Sequence, residues 1–273
     1  MNSDTKKLLI TIIMVVAVVL SPILSIGFGA ANINFSDVIA AVLNQFGGDN
    51  ELSAIKQRII IELRMPRIIM AFLAGAGLSL AGAVLQNVTR NPLADPYLFG
   101  ISSGASFGAV LVIAVLSGMS GVVFGEQTDS IITAVGIPLG AFIGSALSVL
   151  MVVSLAGNGV QIERMLLAGV ATSFMFSAAT SMVLYVSDPR AASSLLFWSL
   201  GSFSRASWSD MLLPTVAIVL ALSLFIGYGR PLRAVLAGDE NARALGVDVT
   251  RLRMGMLLLS SFMTAMIVAY CGG

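Results

Sequence analysis

From Ile68 to Thr89 the chain runs without a single Asp, Glu, Lys or Arg. A helix of about 20 apolar residues spans the roughly 30 Å hydrocarbon core of a bilayer, so this stretch is long enough to cross one. Comparable stretches recur down the whole 273-residue chain. Of its residues 57% are hydrophobic and 11% charged, whereas a soluble domain carries roughly 25% charged residues. The pattern predicts an all-α polytopic membrane protein.

Within the first uncharged run, Ala71, Gly75 and Ser79 fall four apart, with Gly77, Ala81, Gly82 and Ala83 around them. Lipid offers helices no hydrophobic drive to associate, so small residues that let backbones approach mark packing faces. The run predicts a helix packed on several sides, around which the rest is organised. It breaks at Asn91-Pro92-Leu93-Ala94-Asp95-Pro96, where two prolines forbid continuous helix. A second small-residue segment follows, with Ser102, Ser103 and Ser106 placed either to line a passage or to bond backbone across helices. The scattered methionines read as gap-fillers.

Lys6 and Lys7 precede the apolar run Leu8–Ala31, longer than a signal-peptide core and followed by further spans, which predicts a retained first helix. Residues 32–67 read as a polar segment. Further spans read as 68–87, 97–117, 131–155, 165–186, 211–229 and 254–271, about seven in all. Leu195–Phe203 is too short to span and reads as an interfacial or re-entrant helix, with Trp198 and Trp208 at headgroup depth. Nine Lys or Arg against six favour a cytoplasmic N-terminus. The outer arginines Arg58, Arg64 and Arg67 run against that trend.

No Asp, Glu, His, Lys or Arg falls within the apolar core of a span, which argues against a proton-coupled carrier; sodium held by backbone carbonyls stays open. The lysines are Lys6, Lys7 and Lys56, and no phosphate-binding G-x-x-x-x-G-K-[ST] loop exists. The chain is therefore not expected to hydrolyse ATP, and uphill transport would draw on a partner. Net charge is +1, which gives no bulk field for nucleic acid. One cysteine and no histidine leave no metal site or cofactor to propose.

The segment between the last two spans offers a docking surface. Asp239 is expected to cap a short helix over Glu240–Leu245, with Gly246 as its stop and Asp248 capping the next element. Ala242 and Leu245, three apart, would form a small apolar face. A solvated loop with a surface helix is the plainer alternative.

The run RMPR…LAGAVLQNVTRNPLADPYLFGISSGASFGA resembles the permease subunits of bacterial ABC importers for iron–siderophore complexes, haem and vitamin B12. The N-P-L-A-[DE]-P turn and the following G-[IV]-S-x-G-A are distinctive, and RMLLAGVA at 164–171, LFWSLGSF at 196–203 and GDENARALGVDVTRLR at 238–253 extend the likeness. It implies a roughly ten-helix importer permease fold in one transmembrane permease domain over 1–273. The family continues past its seventh span with a proline–histidine motif; this sequence ends at Tyr270–Gly273, so the resemblance implies a truncated chain.

What the resemblance implies for sites is specific. Arg64 and Arg67 would dock a periplasmic or lipid-anchored substrate-binding protein. Asn91 and Leu93, with Gly159 and Val160 in the facing loop, would form a cytoplasmic gate. Gly238, Asp239, Glu240, Ala242, Leu245 and Gly246 would contact the ATPase. The expected assembly is a homodimer of permeases with a cytoplasmic dimer of ATP-binding subunits in a bacterial inner membrane, working by alternating access without covalent chemistry. A secondary carrier or channel, and a non-transporting remnant, are the rival readings.

Overall fold

The computed structural model describes residues 3–29, 31–48, 50–120, 130–157, 162–187 and 198–272. Among them all regular structure is helical. Six helices among the described residues are long and apolar enough to cross a membrane: Asp4–Gly27, Ala54–Thr89, Val135–Ala156, Glu163–Val186, Trp208–Gly227 and Val249–Cys271. A further apolar stretch, Ile101–Val115, lies in a 20-residue helix. The spans read from the sequence are thus all found as helices. The chain divides into two compact units, Met1–Phe72 with Phe203–Met211, and Leu73–Ser202 with Leu212–Gly273.

The first unit begins with α1 (Ser3–Gly27), apolar on every side and 0% buried along its most apolar stretch, as suits a helix surrounded by lipid. Pro22 cannot donate to the Val18 carbonyl, and the Ser21 hydroxyl does so instead at 3.3 Å. The segment 32–67 is far from a plain polar loop. It holds α2 (Phe35–Gln45) and α3 (Ala54–Arg58), and then a π-helical turn, Ile59–Arg64, that leads without a break into α4 (Met65–Thr89).

Pro66 accounts for that turn. It lacks an N–H and its ring would strike the carbonyl four residues back, so the ladder widens ahead of it, with Met65 N–H reaching Ile60 O. In that wider register the Ile61 carbonyl would need the proline's missing N–H. The Trp208 indole N–H supplies the bond at 2.9 Å. Ile33, Val38, Ala41 and Ile60 form the buried centre of this unit.

In the second unit α4 continues to Thr89, and a 3-10 turn at Pro96–Phe99 leads into α5 (Ile101–Ser120). α6 (Ser130–Ala156) and α7 (Ile162–Val186) follow, then α8 (Leu212–Gly227), the short α9 (Gly229–Leu236) and α10 (Asp239–Ala244), and α11 (Val249–Cys271). α5 and α6 touch backbone to backbone: a methyl group on Gly108 would overlap the Gly140 carbonyl, and one on Gly144 that of Gly104. Two buried α6 hydroxyls seal the contact. Ser145 donates to Ile101 O at 3.0 Å, and Ser148 to Phe99 O and Gly100 O at 2.9 and 2.8 Å. Ser103 bonds its own turn, at Gly100 O.

The most enclosed helix is α11, with 56% of its apolar window buried against 33% for the Ala54–Thr89 helix. The run from Ile68 to Thr89 nevertheless buries Ala74, Ala81, Val84, Leu85 and Val88. In the Leu195–Phe203 segment, of which 195–197 lie outside the described residues, Ser202 N–H bonds Cys271 O at 2.7 Å. Trp198 packs against the cluster of Val268 and Ala269.

Candidate functional site

At one end of the second unit the last turn of α4, the proline turn after it, α10 and the start of α11 meet. α4 closes with crossed carbonyl bonds, Arg90 N–H to Asn87 O at 3.3 Å and Asn91 N–H to Gln86 O at 3.2 Å. That closure puts its pivot residue in the left-handed region, and the pivot is Arg90 at φ +51° rather than a glycine. The turn is then stiffened by side chains. Asn91 Oδ1 accepts from Leu93 N–H at 2.9 Å, and Asp95 Oδ1 accepts from Tyr97 N–H at 2.6 Å. Leu93 stands 82% exposed at its tip.

α10 departs from expectation at its start and keeps to it at its end. Gly238, not Asp239, is the N-cap and offers no side chain; Asp239 is the first helical residue. Its carboxylate leaves the helix for a stronger partner. Arg253 of α11 grips it with two parallel bonds, Nη1 to Oδ2 at 2.8 Å and Nη2 to Oδ1 at 2.9 Å. A two-bond fork between an ionised acid and a guanidinium outweighs a single cap bond to a backbone N–H. Arg90 Nη2 reaches the same Oδ1 at 2.9 Å. The third Arg253 nitrogen, Nε, donates to Val88 O at 3.1 Å, one of the carbonyls left open at the end of α4.

Gly246, at φ +78°, ends α10 as expected: its N–H bonds Arg243 O at 2.9 Å and Val247 N–H bonds Ala242 O at 3.0 Å. Asp248 caps α11 by accepting from Arg251 N–H at 3.0 Å. The expected Ala242–Leu245 face does not form. Ala242 is wholly buried beside Val235, Val249 and Leu252, whereas Leu245 is 73% exposed and Glu240 also faces outward. A helix this short must spend one face on its own chain.

In the first unit Arg64 is turned inward on its chain, donating from Nη1 to Ile26 O at 2.6 Å and from Nη2 to Ala31 O at 2.8 Å. It caps the end of α1, where a cation also suits the helix dipole. Arg67 shares with it a recess of about 400 Å³ lined by Ser25, Phe28 and Leu63. Arg67 Nε is buried with no partner among the described residues. Gly159 and Val160 lie outside the described residues.

The structure thus joins the flank of the candidate gate turn to the candidate coupling helix through Arg90, Asp239 and Arg253. Sequence reasoning had the acid and neither arginine as its partner. The signal available was an arginine at position 253, the fifth residue of a helix that carries no charge beyond it, with Leu252 before it and Met254 after it.

A family model described as the FecCD transport family matches residues 13–273. The molybdate import system permease protein MolB of Haemophilus influenzae is 31% identical over 255 residues, 93% of this chain and 72% of its own. The hemin transport system permease protein HmuU of Yersinia pestis is 35% identical over 216 residues, 78% of this chain and 62% of its own. A solved inward-facing ABC transporter, described as of the metal-chelate type, superposes with a TM-score of 0.77 at 27% identity, over 97% of this chain and 76% of that one.

Proposed function

Because this chain belongs to the FecCD transport family of ABC transporter permeases, we propose that it is the membrane-spanning subunit of an importer for an iron–siderophore complex, haem or cobalamin. Two copies line the pathway by alternating access in the inner membrane, with the N-terminus in the cytoplasm. A cytoplasmic pair of ATP-binding subunits supplies the energy, and a substrate-binding protein delivers the cargo. One observation carries this reading: α10 presents Glu240 and Leu245 outward while Asp239 anchors it to the end of α4, next to the Asn91–Pro96 turn. A contact helix that is exposed on one side and bound to the candidate gate on the other is what an externally powered permease needs.

Relatives with 31–35% identity are named for molybdate and for hemin, so cargo is the finer part of the proposal. Reconstitution with the ATP-binding and substrate-binding partners in proteoliposomes tests it, with ferric siderophore, hemin, cobalamin and molybdate offered in turn. ATP-dependent uptake of one of the first three is expected. Uptake driven by a proton or sodium gradient without ATP would overturn the reading in favour of a secondary carrier, and uptake of molybdate alone would overturn the cargo class.

A further inference from the structure

We propose that Arg90, Asp239 and Arg253 form a latch that carries displacement of α10 directly into the Asn91–Pro96 turn. This rests on α10 as the ATPase contact and goes beyond it, by naming the residues that pass the motion inward.

The geometry leaves little slack. α10 has no side-chain cap, so the Asp239 carboxylate is free to bind across to α11. The Arg253 fork holds both carboxylate oxygens, which fixes the orientation of the acid as well as its distance. The same guanidinium holds the last turn of α4 through Val88 O. Arg90 then closes the loop from the α4 side, through Asp239 Oδ1. Three charge-assisted contacts therefore meet at one carboxylate, and a fourth, from Arg253 to Val88 O, ties in the end of α4.

Two further details point the same way. Arg90 occupies a left-handed pivot where glycine would fit without strain. A non-glycine residue in such a conformation persists where its surroundings hold it there, and here its side chain is the outer arm of the latch. The turn starts at the very next residue and is stiffened by the Asn91 and Asp95 side-chain bonds and two prolines. No flexible linker separates latch from turn, so α10 cannot shift without moving the turn or breaking those bonds.

Arg90, Asp239 and Arg253 are positioning residues on this account, and the test reads coupling rather than fold. In the assembled transporter, cargo moved per ATP hydrolysed is compared for the parent, R90Q, R90K and R253K. Arg90 is partly exposed, so R90Q leaves the buried fork intact. R90Q and R253K are expected to lower the ratio about fivefold or more, within the range that such network changes produce. R90K, which keeps a cation on Oδ1, is expected to recover most of it. An unchanged ratio in both R90Q and R253K would overturn the latch.

A distance readout separates loss of coupling from loss of fold. With Cys271 replaced by alanine, spin labels at Leu93 and Leu245, both exposed, report movement on ATP binding. In the parent both sites move. In R90Q and R253K the Leu245 label still moves and the Leu93 label does not. Leu93 moving as in the parent in these variants would overturn the proposal. If the parent neither assembles with an ATPase nor moves at Leu245, the coupling reading itself fails, which is a different result from failure of the latch alone.

Discussion

Removing Asp239 alone and removing it together with Arg253 have very different expected effects on stability. The Arg253 side chain is 9% exposed and that of Asp239 22%. In D239A the guanidinium stays buried without its counter-charge, and breaking one side of a buried pair costs about 3 kcal/mol. R253M removes the buried cation, fills similar space, and leaves Asp239 with Arg90 and some water. Its expected cost is about 1.5 kcal/mol for the lost bonds. In the double variant no charge is stranded in the interior, so it should lose about 2 kcal/mol rather than the sum of the two.

The cycle thus yields an interaction of about 2 kcal/mol or more. R90A, by contrast, breaks a pair whose arginine side chain is 43% exposed and costs below about 1 kcal/mol. Steric trapping in lipid bicelles, which reads unfolding free energy without leaving the bilayer, measures all four variants. Single-variant losses that add to the double within about 0.5 kcal/mol would refute the network as drawn. The double variant also isolates the latch, because it recovers stability without recovering cargo moved per ATP.

Other consequences are as direct. W208F, which removes the donor to Ile61 O, is expected to lower stability by about 1 kcal/mol; in a P66A background, where the backbone supplies an N–H, the same change costs almost nothing, and equal losses in both backgrounds would contradict the account of the π turn. Lys56, bonded at 2.7 Å, and then the Asn34 N–H hold the Asp37 carboxyl below its ordinary range. Its stabilising contribution is complete above the unfolded value of about 3.9 and lost as pH falls through the lower folded value; thermal midpoints between pH 5 and 3 should drop less in K56M than in the parent. R64E strips the Ile26 and Ala31 carbonyls of their donors and should destabilise the first unit, whereas R67E should weaken docking of the substrate-binding protein, with a parent affinity that falls with salt as screening shortens to about 10 Å at 0.1 M. Docking of R67E that matches the parent at every salt concentration would leave Arg67 without that role.

The spans were legible because about 20 uncharged residues leave few alternatives. Gly246 and Asp248 were legible because helix stops and caps are local chemistry. Which helix lies deepest was not: lipid and protein interiors are equally apolar, so α11 and α4 look alike in hydropathy although 56% and 33% of their windows are buried. The π turn was hidden because Glu62 and Arg64 made its surroundings look like a loop, and only Pro66 hinted at a widened ladder. Spacing placed Ala242 and Leu245 on one face but could not say that the chain's own core takes the first of them. The Asp239–Arg253 fork joins residues on separate elements, and no local pattern announces such a pair.

The central claim is that an ATP-binding partner drives this permease through α10. A photo-reactive phenylalanine analogue at Leu245, which faces away from the chain's core, measures that contact directly, with Leu220 on the apolar span α8 as the control site. Cross-linking to the ATP-binding subunit from position 245 and none from position 220, in an assembled transporter that hydrolyses ATP, is the expected result. An active assembly in which position 245 gives no cross-link to that subunit would contradict the account.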